Sequence, residues 1–223
     1  MKDGLAQQRD EKKKIVGVVL RSQAKTIHFL RHAEGTHNKD ALQEGRSAYR
    51  KMEHLDARLT DFGKEQCAKL KATNHCVEKE AEVVVVSPLT RAIQTAMLSI
   101  DQVDGVPWIA LECARERAGG HPCDRRRPVH ELKETYPTIN FDEVVDNEDV
   151  YWEALGDKRE DDEAMAGRAR ELFAWLSARP ETNIAVVTHS AFLACLFNKA
   201  LVSPAHLAKW FENCELRTVL LDL

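Results

Sequence analysis

A histidine beside an arginine at the end of a strand can do phosphoryl chemistry. Residues 31–38 read Arg-His-Ala-Glu-Gly-Thr-His-Asn and follow the short apolar run Thr26-Ile27-His28-Phe29-Leu30. A guanidinium grips phosphate oxygens through paired N–H groups, and a neutral imidazole can attack phosphorus. Taken alone, Arg31-His32 reads as two incidental cations in a polar loop. Three distant stretches change that reading: Ser87 to Arg91, Glu112 to Glu116, and His189-Ser190. Phosphoryl transfer without a metal needs a nucleophile, cations for the equatorial oxygens, and an acid for the leaving oxygen. His32 suits the first role if its attacking nitrogen is unprotonated. Its other ring nitrogen is then expected to donate to a nearby backbone carbonyl, which fixes the tautomer. Arg31 and Arg91 suit the second role. His189, at the mouth of a helix N-terminus, adds a further donor there. Glu116 suits the third.

The elements that would position these groups alternate between strand and helix. Val83 to Val86 is a continuous β-branched run, as expected for a strand covered on both faces of a parallel sheet. Leu89, Ala92, Ile93, Ala96, Met97 and Ile100 then recur at the spacing of one helix face, with Ser87 as its cap and Pro88 in the first turn. A helix capped by Thr60 runs to about His75, and residues 39–54 read as an irregular or partly helical connection. Trp108–Leu111 is a short strand. Residues 160–178 form the clearest amphipathic helix, with Met165, Ala169, Leu172, Phe173 and Leu176 on its apolar stripe. Ile184–Thr188 is a buried strand, Ala191–Leu201 a helix, Ser203 to about Glu212 a last helix, and Leu216–Leu221 a last strand. This order predicts an α/β fold, three-layer α/β/α, with a mostly parallel sheet. Parallel strands would bring Arg31-His32, Ser87…Arg91 and His189 to one carboxyl edge, where open sheets bind ligands.

Residues 112–160 break the alternation. They carry Gly119-Gly120, Pro122, Pro128 and Pro137, a run Arg125-Arg126-Arg127 beside His121 and Cys123, and one short helix near 129–135. The segment reads as a cap insertion over the carboxyl edge, within a single catalytic domain spanning residues 1–223. The arginine run is either a solvated charge cluster or a means of recognising substrate charge. Trp152 reads as a buried aromatic of the cap, and Cys123 as structural, although neighbouring arginines would lower a thiol pKa. His28, His54, His130 and His206 are assigned no chemistry, and His37 at most the pocket rim.

Composition narrows the classes. The chain has 223 residues, 43% hydrophobic and 30% charged, with net charge −4. A generic nucleic-acid binder would be basic, so phosphate recognition here must be local and no nucleic-acid partner is expected. No apolar run reaches the length of a membrane span, so no membrane partner is expected either. Six scattered cysteines without a CxxC pair fit reduced thiols in the cytoplasm, with no metal site and no cofactor. Residues 1–14, with Lys12-Lys13-Lys14, read as a mobile lead, and residues 15–20 as a short strand or extended approach.

Four stretches in order resemble one known family. Arg31-His32-Ala33-Glu34…Asn38, Asp56-Ala57-Arg58-Leu59-Thr60-Asp61-Phe62-Gly63…Gln66, Ser87-Pro88-Leu89…Arg91-Ala92…Gln94-Thr95-Ala96 and Val187-Thr188-His189-Ser190 are similar to the motifs of the histidine phosphatase superfamily, in its phosphoglycerate-mutase-like branch. Arg115-Glu116…His121 to Arg127, with Asn213 to Arg217, resembles its eukaryotic phosphoglycerate-mutase-like subgroup. The resemblance implies a phosphorylated small-molecule substrate and no metal. It makes His32 the phosphohistidine, Arg31, Arg91 and His189 the phosphate pocket, and Glu116 the proton donor, with Glu112 the second candidate. Asn38, Ser190, His121 and the three arginines would contact substrate. Ala33 stands where the family usually has glycine. A methyl group is excluded there if the backbone needs positive φ and tolerated if it does not.

Overall fold

Val83, Val84, Val85 and Val86 are all fully or almost fully buried, and the run has no polar position because both faces of its strand are covered. The computed structural model describes residues 24–73, 81–201 and 204–223; the readings for residues 1–14, 15–20 and His75 lie outside them. Five strands form one sheet: β1 (Ala24–Arg31), β2 (Val83–Val86), β3 (Trp108–Ala110), β4 (Asn183–Thr188) and β5 (Leu216–Asp222), in the order β3-β2-β4-β1-β5. The first four are parallel, and β5 closes the edge antiparallel to β1. The helices are α1 (Thr36–Glu44), α2 (Asp61–Thr73), α3 (Thr90–Ser99), α4 (Val129–Thr135), α5 (Val150–Leu155), α6 (Asp162–Ala178) and α7 (Ser190–Cys195).

Alternate strand residues feed two apolar layers, which makes the fold three-layered. Leu30, Val84, Val86, Ala185 and Val187 pack with Ala92, Ile93 and Ala96 of α3. Ile27, Phe29, Val83, Val85, Ile184 and Val186 pack with Met165, Ala169, Leu172 and Leu176 of α6. The strand register also sets the site. Leu30 pairs with Val187, Arg31 with Thr188, and Val86 with Val187. The ends of β1, β2 and β4 are therefore level, and the residues that follow each emerge side by side.

Several local expectations change. Met97 is exposed beside Leu98 on the outer face of α3, while Ala96, Ser99 and Ile100 stay buried. Ser87 does not cap α3. Asp56 does, since its carboxylate accepts the Thr90 N–H (2.8 Å) and the Thr90 hydroxyl. Ser87 instead bonds His189 (2.7 Å). The connection after the first motif is more regular than expected: α1 begins at Thr36, and 3-10 turns follow at Gly45–Arg50 and Met52–His54. α7 ends at Cys195 and continues as a π-turn, Leu196–Ala200. Residues 204–212 form turns rather than a helix, where the Arg217 guanidinium takes the carbonyls of Leu207, Lys209 and Trp210. Thr60 does cap α2, accepting the Gly63 N–H at 3.0 Å. Gly63 is required there, since a Cβ would lie 2.2 Å from the Glu34 carbonyl oxygen. Among the described residues no helix is long and apolar enough to cross a membrane.

Candidate active site

His32 is fixed from both sides before its side chain is considered. Its N–H donates to the Thr188 carbonyl (2.9 Å), and its own carbonyl accepts from Cys214 N–H (3.2 Å) and the Asn213 amide (3.1 Å). The ring is buried, with Nδ1 2.7 Å from the Ala33 carbonyl oxygen. A carbonyl can only accept, so Nδ1 carries the proton and Nε2 carries the lone pair. Arg91 Nε donates to that lone pair at 3.3 Å. Burial, then the charges of Arg91 and Arg31 and the neighbouring His37, hold His32 well below the usual histidine range, against the Ala33 carbonyl. The imidazole is thus neutral, with its nucleophilic nitrogen beside a guanidinium.

Motif residues from α2 and α3 hold the loop that carries His32. Thr95 Oγ1 accepts the Ala33 N–H (3.0 Å) and donates to the Arg91 carbonyl (2.7 Å). Gln66 accepts the Glu34 N–H and Gln94 the Leu59 N–H, both at 2.9 Å. Ala33 is absent from the positive-φ residues, and its methyl lies in the core beside Leu30 and Ala92. The methyl is therefore tolerated.

A cavity of about 190 Å³ opens over His32 and is lined by Arg31, Arg91, Asn38, Glu116, His121 and Ser190 among others. His189 lies behind it, fully buried, its ring 5.0 Å from that of His32. Glu116 is fixed at the start of α7, where its carboxylate accepts the N–H groups of Ala191 (3.2 Å), Phe192 (3.1 Å) and Arg117 (2.9 Å). Glu112 is absent from the cavity wall and is held by Arg115 (2.6 Å) and Arg126 (3.0 Å). Between the two glutamates, only Glu116 faces the cavity.

The arginine run is not part of the cavity wall. Arg125 pairs with Glu153 and lies over the Trp152 ring, whose N–H donates to the His121 carbonyl. Arg126 is buried and spends its guanidinium on Glu112 and on the carbonyls of Asp146, Asn147 and Glu148. Arg127 faces Asp56 and Glu131. All three therefore stand off the cavity wall, engaged by Glu153, by Glu112 with the carbonyls of 146–148, and by Asp56 with Glu131.

Other residues enter the cavity unannounced. Asp124, buried, takes Arg91 on one oxygen (2.7 Å) and Arg159 on the other (2.9 Å), with His121 at 3.7 Å. Burial would raise its pKa, but His121, Arg91 and Arg159 outweigh this and hold the carboxyl well below the usual range. Arg91 is thereby aimed by a carboxylate behind it, and its other N–H group donates to the Cys123 carbonyl. Burial pushes the Cys123 thiol up, overriding the arginines. His37 is buried rather than at the rim, its ring 5.9 Å from His32 and 5.5 Å from Tyr49. His54 is also buried, Nδ1 against the Thr36 hydroxyl. Three nitrogens at or behind the cavity wall, Arg31 Nε, His37 Nδ1 and His189 Nδ1, are buried without a hydrogen-bond partner among the described residues. Buried polar atoms are normally satisfied, so these three nitrogens are left with hydrogen-bonding capacity beside His32.

The family model of the histidine phosphatase superfamily, branch 1, matches residues 27–222. The chain belongs to the histidine phosphatase superfamily. It is 34% identical to a phosphoglycerate mutase-like protein of Arabidopsis thaliana, over 92% of this chain and 88% of that protein. Among solved structures it is similar to the α-ribazole phosphatase of Shigella flexneri, with a TM-score of 0.59 at 21% identity over 86% of this chain and 89% of that one. It is also similar to a phosphoglycerate mutase of Bacillus anthracis, with a TM-score of 0.57 at 15% identity over 91% and 90%. Phosphatase and mutase share this superfamily fold, so the distinction between them rests on the cavity.

The histidine set of this superfamily member makes its stability pH-dependent. His32, His37 and His189 are all held well below the usual histidine range, first by burial and then by Arg91. Unfolded, each takes up a proton near pH ~6.5; folded, each resists it. Below that pH the unfolded state binds more protons, so stability is full above it and is lost as pH falls. Unfolding free energies from urea titrations are expected to drop between about pH 6.5 and pH 5, by up to ~1.4 kcal/mol per pH unit per histidine. His37→Gln should make that slope shallower by about one proton. A flat profile for the wild type over this range would contradict the burial argument.

Proposed function

We propose that the protein is a metal-independent phosphomonoesterase that works through a phosphohistidine on His32. The observation that carries this reading is the neutral, tautomer-fixed His32, with Nε2 facing Arg91 in a cavity that Glu116 also lines. In the first step Nε2 attacks phosphorus while Arg31, Arg91 and His189 stabilise the charge on the equatorial oxygens. Ser87 can donate its hydroxyl proton to His189 Nε2, which leaves Nδ1–H as a donor toward the phosphoryl group. Glu116 protonates the leaving oxygen, then takes a proton from water as that water attacks the phosphohistidine. Asn38 and Ser190 contact the substrate from the cavity wall.

Hydrolysis is favoured over mutase chemistry by the position of the cap arginines. A mutase must hold a second phosphate beside the first in the inner cavity and exclude water, and Arg125 to Arg127 are engaged in contacts away from that cavity. The deciding assay uses 3-phosphoglycerate with 2,3-bisphosphoglycerate and follows isomerisation and free phosphate together, alongside a panel of sugar phosphates, nucleotides and phosphopeptides. Phosphate release is expected to dominate. Dominant isomerisation would replace hydrolase by mutase.

A further inference from the structure

Beyond the inner cavity lies a second, wider one of about 680 Å³, which shares Arg46, His121, Arg159 and Trp210 with it and adds Arg50 and Arg117. Among the described residues no carboxylate lines this outer basin, although the chain as a whole is acidic at −4. Some of its charge is already answered: Arg117 pairs with Asp162 and Arg159 with Asp124. Arg46 and Arg50 are exposed and have no ion pair or hydrogen-bonded partner for their guanidinium groups among the described residues. The acidic groups nearest them in sequence, Glu44 and Glu53, are taken by Lys51.

The local backbone explains how these cations reach the basin. Arg46 to Arg50 lie in the 3-10 turn Gly45–Arg50, where residues three apart stand one above the other. Arg46 therefore stands over Tyr49, whose ring faces His37 and His121 at 5.5 Å in the inner cavity. Arg50 stands over Ser47 on the adjoining face, and both line the outer basin. The turn is a ladder from the inner cavity to a cationic rim. Opposite it Trp210, 62% exposed, offers an apolar ring face at the boundary between the two cavities.

We infer that the outer basin is a second anion subsite, so that the preferred substrate is an elongated phosphomonoester carrying a second phosphate or carboxylate at its far end. Arg46 and Arg50 hold that distal group, and Trp210 covers the apolar stretch between. The inference rests on the inner cavity being the phosphoryl site. Two unpaired guanidinium groups at an exposed rim would bind an anion weakly on their own; a substrate already anchored at His32 delivers the second anion at high effective concentration.

The experiment compares alkanediol bisphosphates with the matching hydroxyalkyl monophosphates, for propanediol, hexanediol and octanediol linkers. For the wild type, kcat/KM for the bisphosphate is expected to exceed that for the monophosphate by on the order of tenfold at one or more linker lengths, the factor one charge-assisted contact supplies. The Arg50→Glu variant should bring that ratio toward one or below. A ratio near one at every length in the wild type, or one unchanged by Arg50→Glu, overturns the inference. Calorimetric titration of both ligand series into wild type and Arg50→Glu gives the same comparison as affinities, independent of turnover. If neither series is hydrolysed yet the bisphosphate binds more tightly through Arg50, the subsite stands and the hydrolase reading fails. Equal binding of both series overturns the subsite.

Discussion

Replacing His32 with alanine is expected to lower phosphate-ester hydrolysis by at least about 10⁴-fold, because the reaction loses its nucleophile and not merely a contact. The same variant should accumulate no acid-labile phosphate when a labelled ester is mixed with enzyme and quenched, whereas wild type should. The fold should survive the change. The N–H and carbonyl of residue 32 make the bonds to Thr188, Cys214 and Asn213, and all three persist in alanine. The variant also no longer has to bury an imidazole in its neutral form beside two arginines, a requirement that costs stability in acid. Urea unfolding at neutral pH separates a catalytic loss from an unfolded protein. Equal turnover and equal trapped label in wild type and variant would remove His32 from the chemistry.

Much of this arrangement was legible because its parts are local. A run of four valines can only be a covered strand, and Thr60 with Gly63 marks a helix start within four residues. Arg31, His32, Arg91 and His189 each follow an apolar strand, so parallel pairing alone brings them together. Ala33 needed the backbone, since the sign of φ decides whether a methyl fits. The rest depends on contacts between distant segments. Nothing near Asp124 in sequence shows that its two oxygens meet Arg91 and Arg159. Arg126 looks like one of three equivalent cations. Its burial is set by the carbonyls of residues 146–148, which a loop brings around it. The α3 cap comes from Asp56, 34 residues upstream, which left Ser87 free for His189. His37 and Tyr49 enter the cavity on a helix and a 3-10 turn, within and just before a stretch whose sequence suggested only an irregular or partly helical connection. Over 204–212 the chain forms turns instead of the expected helix, and Arg217, outside that stretch, takes the carbonyls of Leu207, Lys209 and Trp210.

Arg91→Ala is expected to cost about 3–4 kcal/mol of transition-state stabilisation, or 10²–10³-fold in kcat/KM, the range found for preorganised donors to a developing oxyanion. The cost is high because Arg91 acts in three directions at once. Nε faces His32, one terminal nitrogen meets the Cys123 carbonyl, and the other meets Asp124. Burial alone would lower its pKa, but Asp124 and its neighbours raise it, so the charge is retained although the side chain is almost fully buried. Removing the guanidinium therefore also leaves Asp124 buried with Arg159 as its remaining close cation, and the fold should lose stability by roughly 3 kcal/mol, as when one partner of a buried pair is deleted. Asp124→Asn makes the complementary change. It keeps the Arg91 charge but withdraws the anion that aims it, so activity should fall less than in Arg91→Ala. If Arg91 and Asp124 act as one unit, the double variant should lose little more activity than Arg91→Ala alone. Additive losses in kcat/KM would mean that Asp124 serves the reaction separately from Arg91.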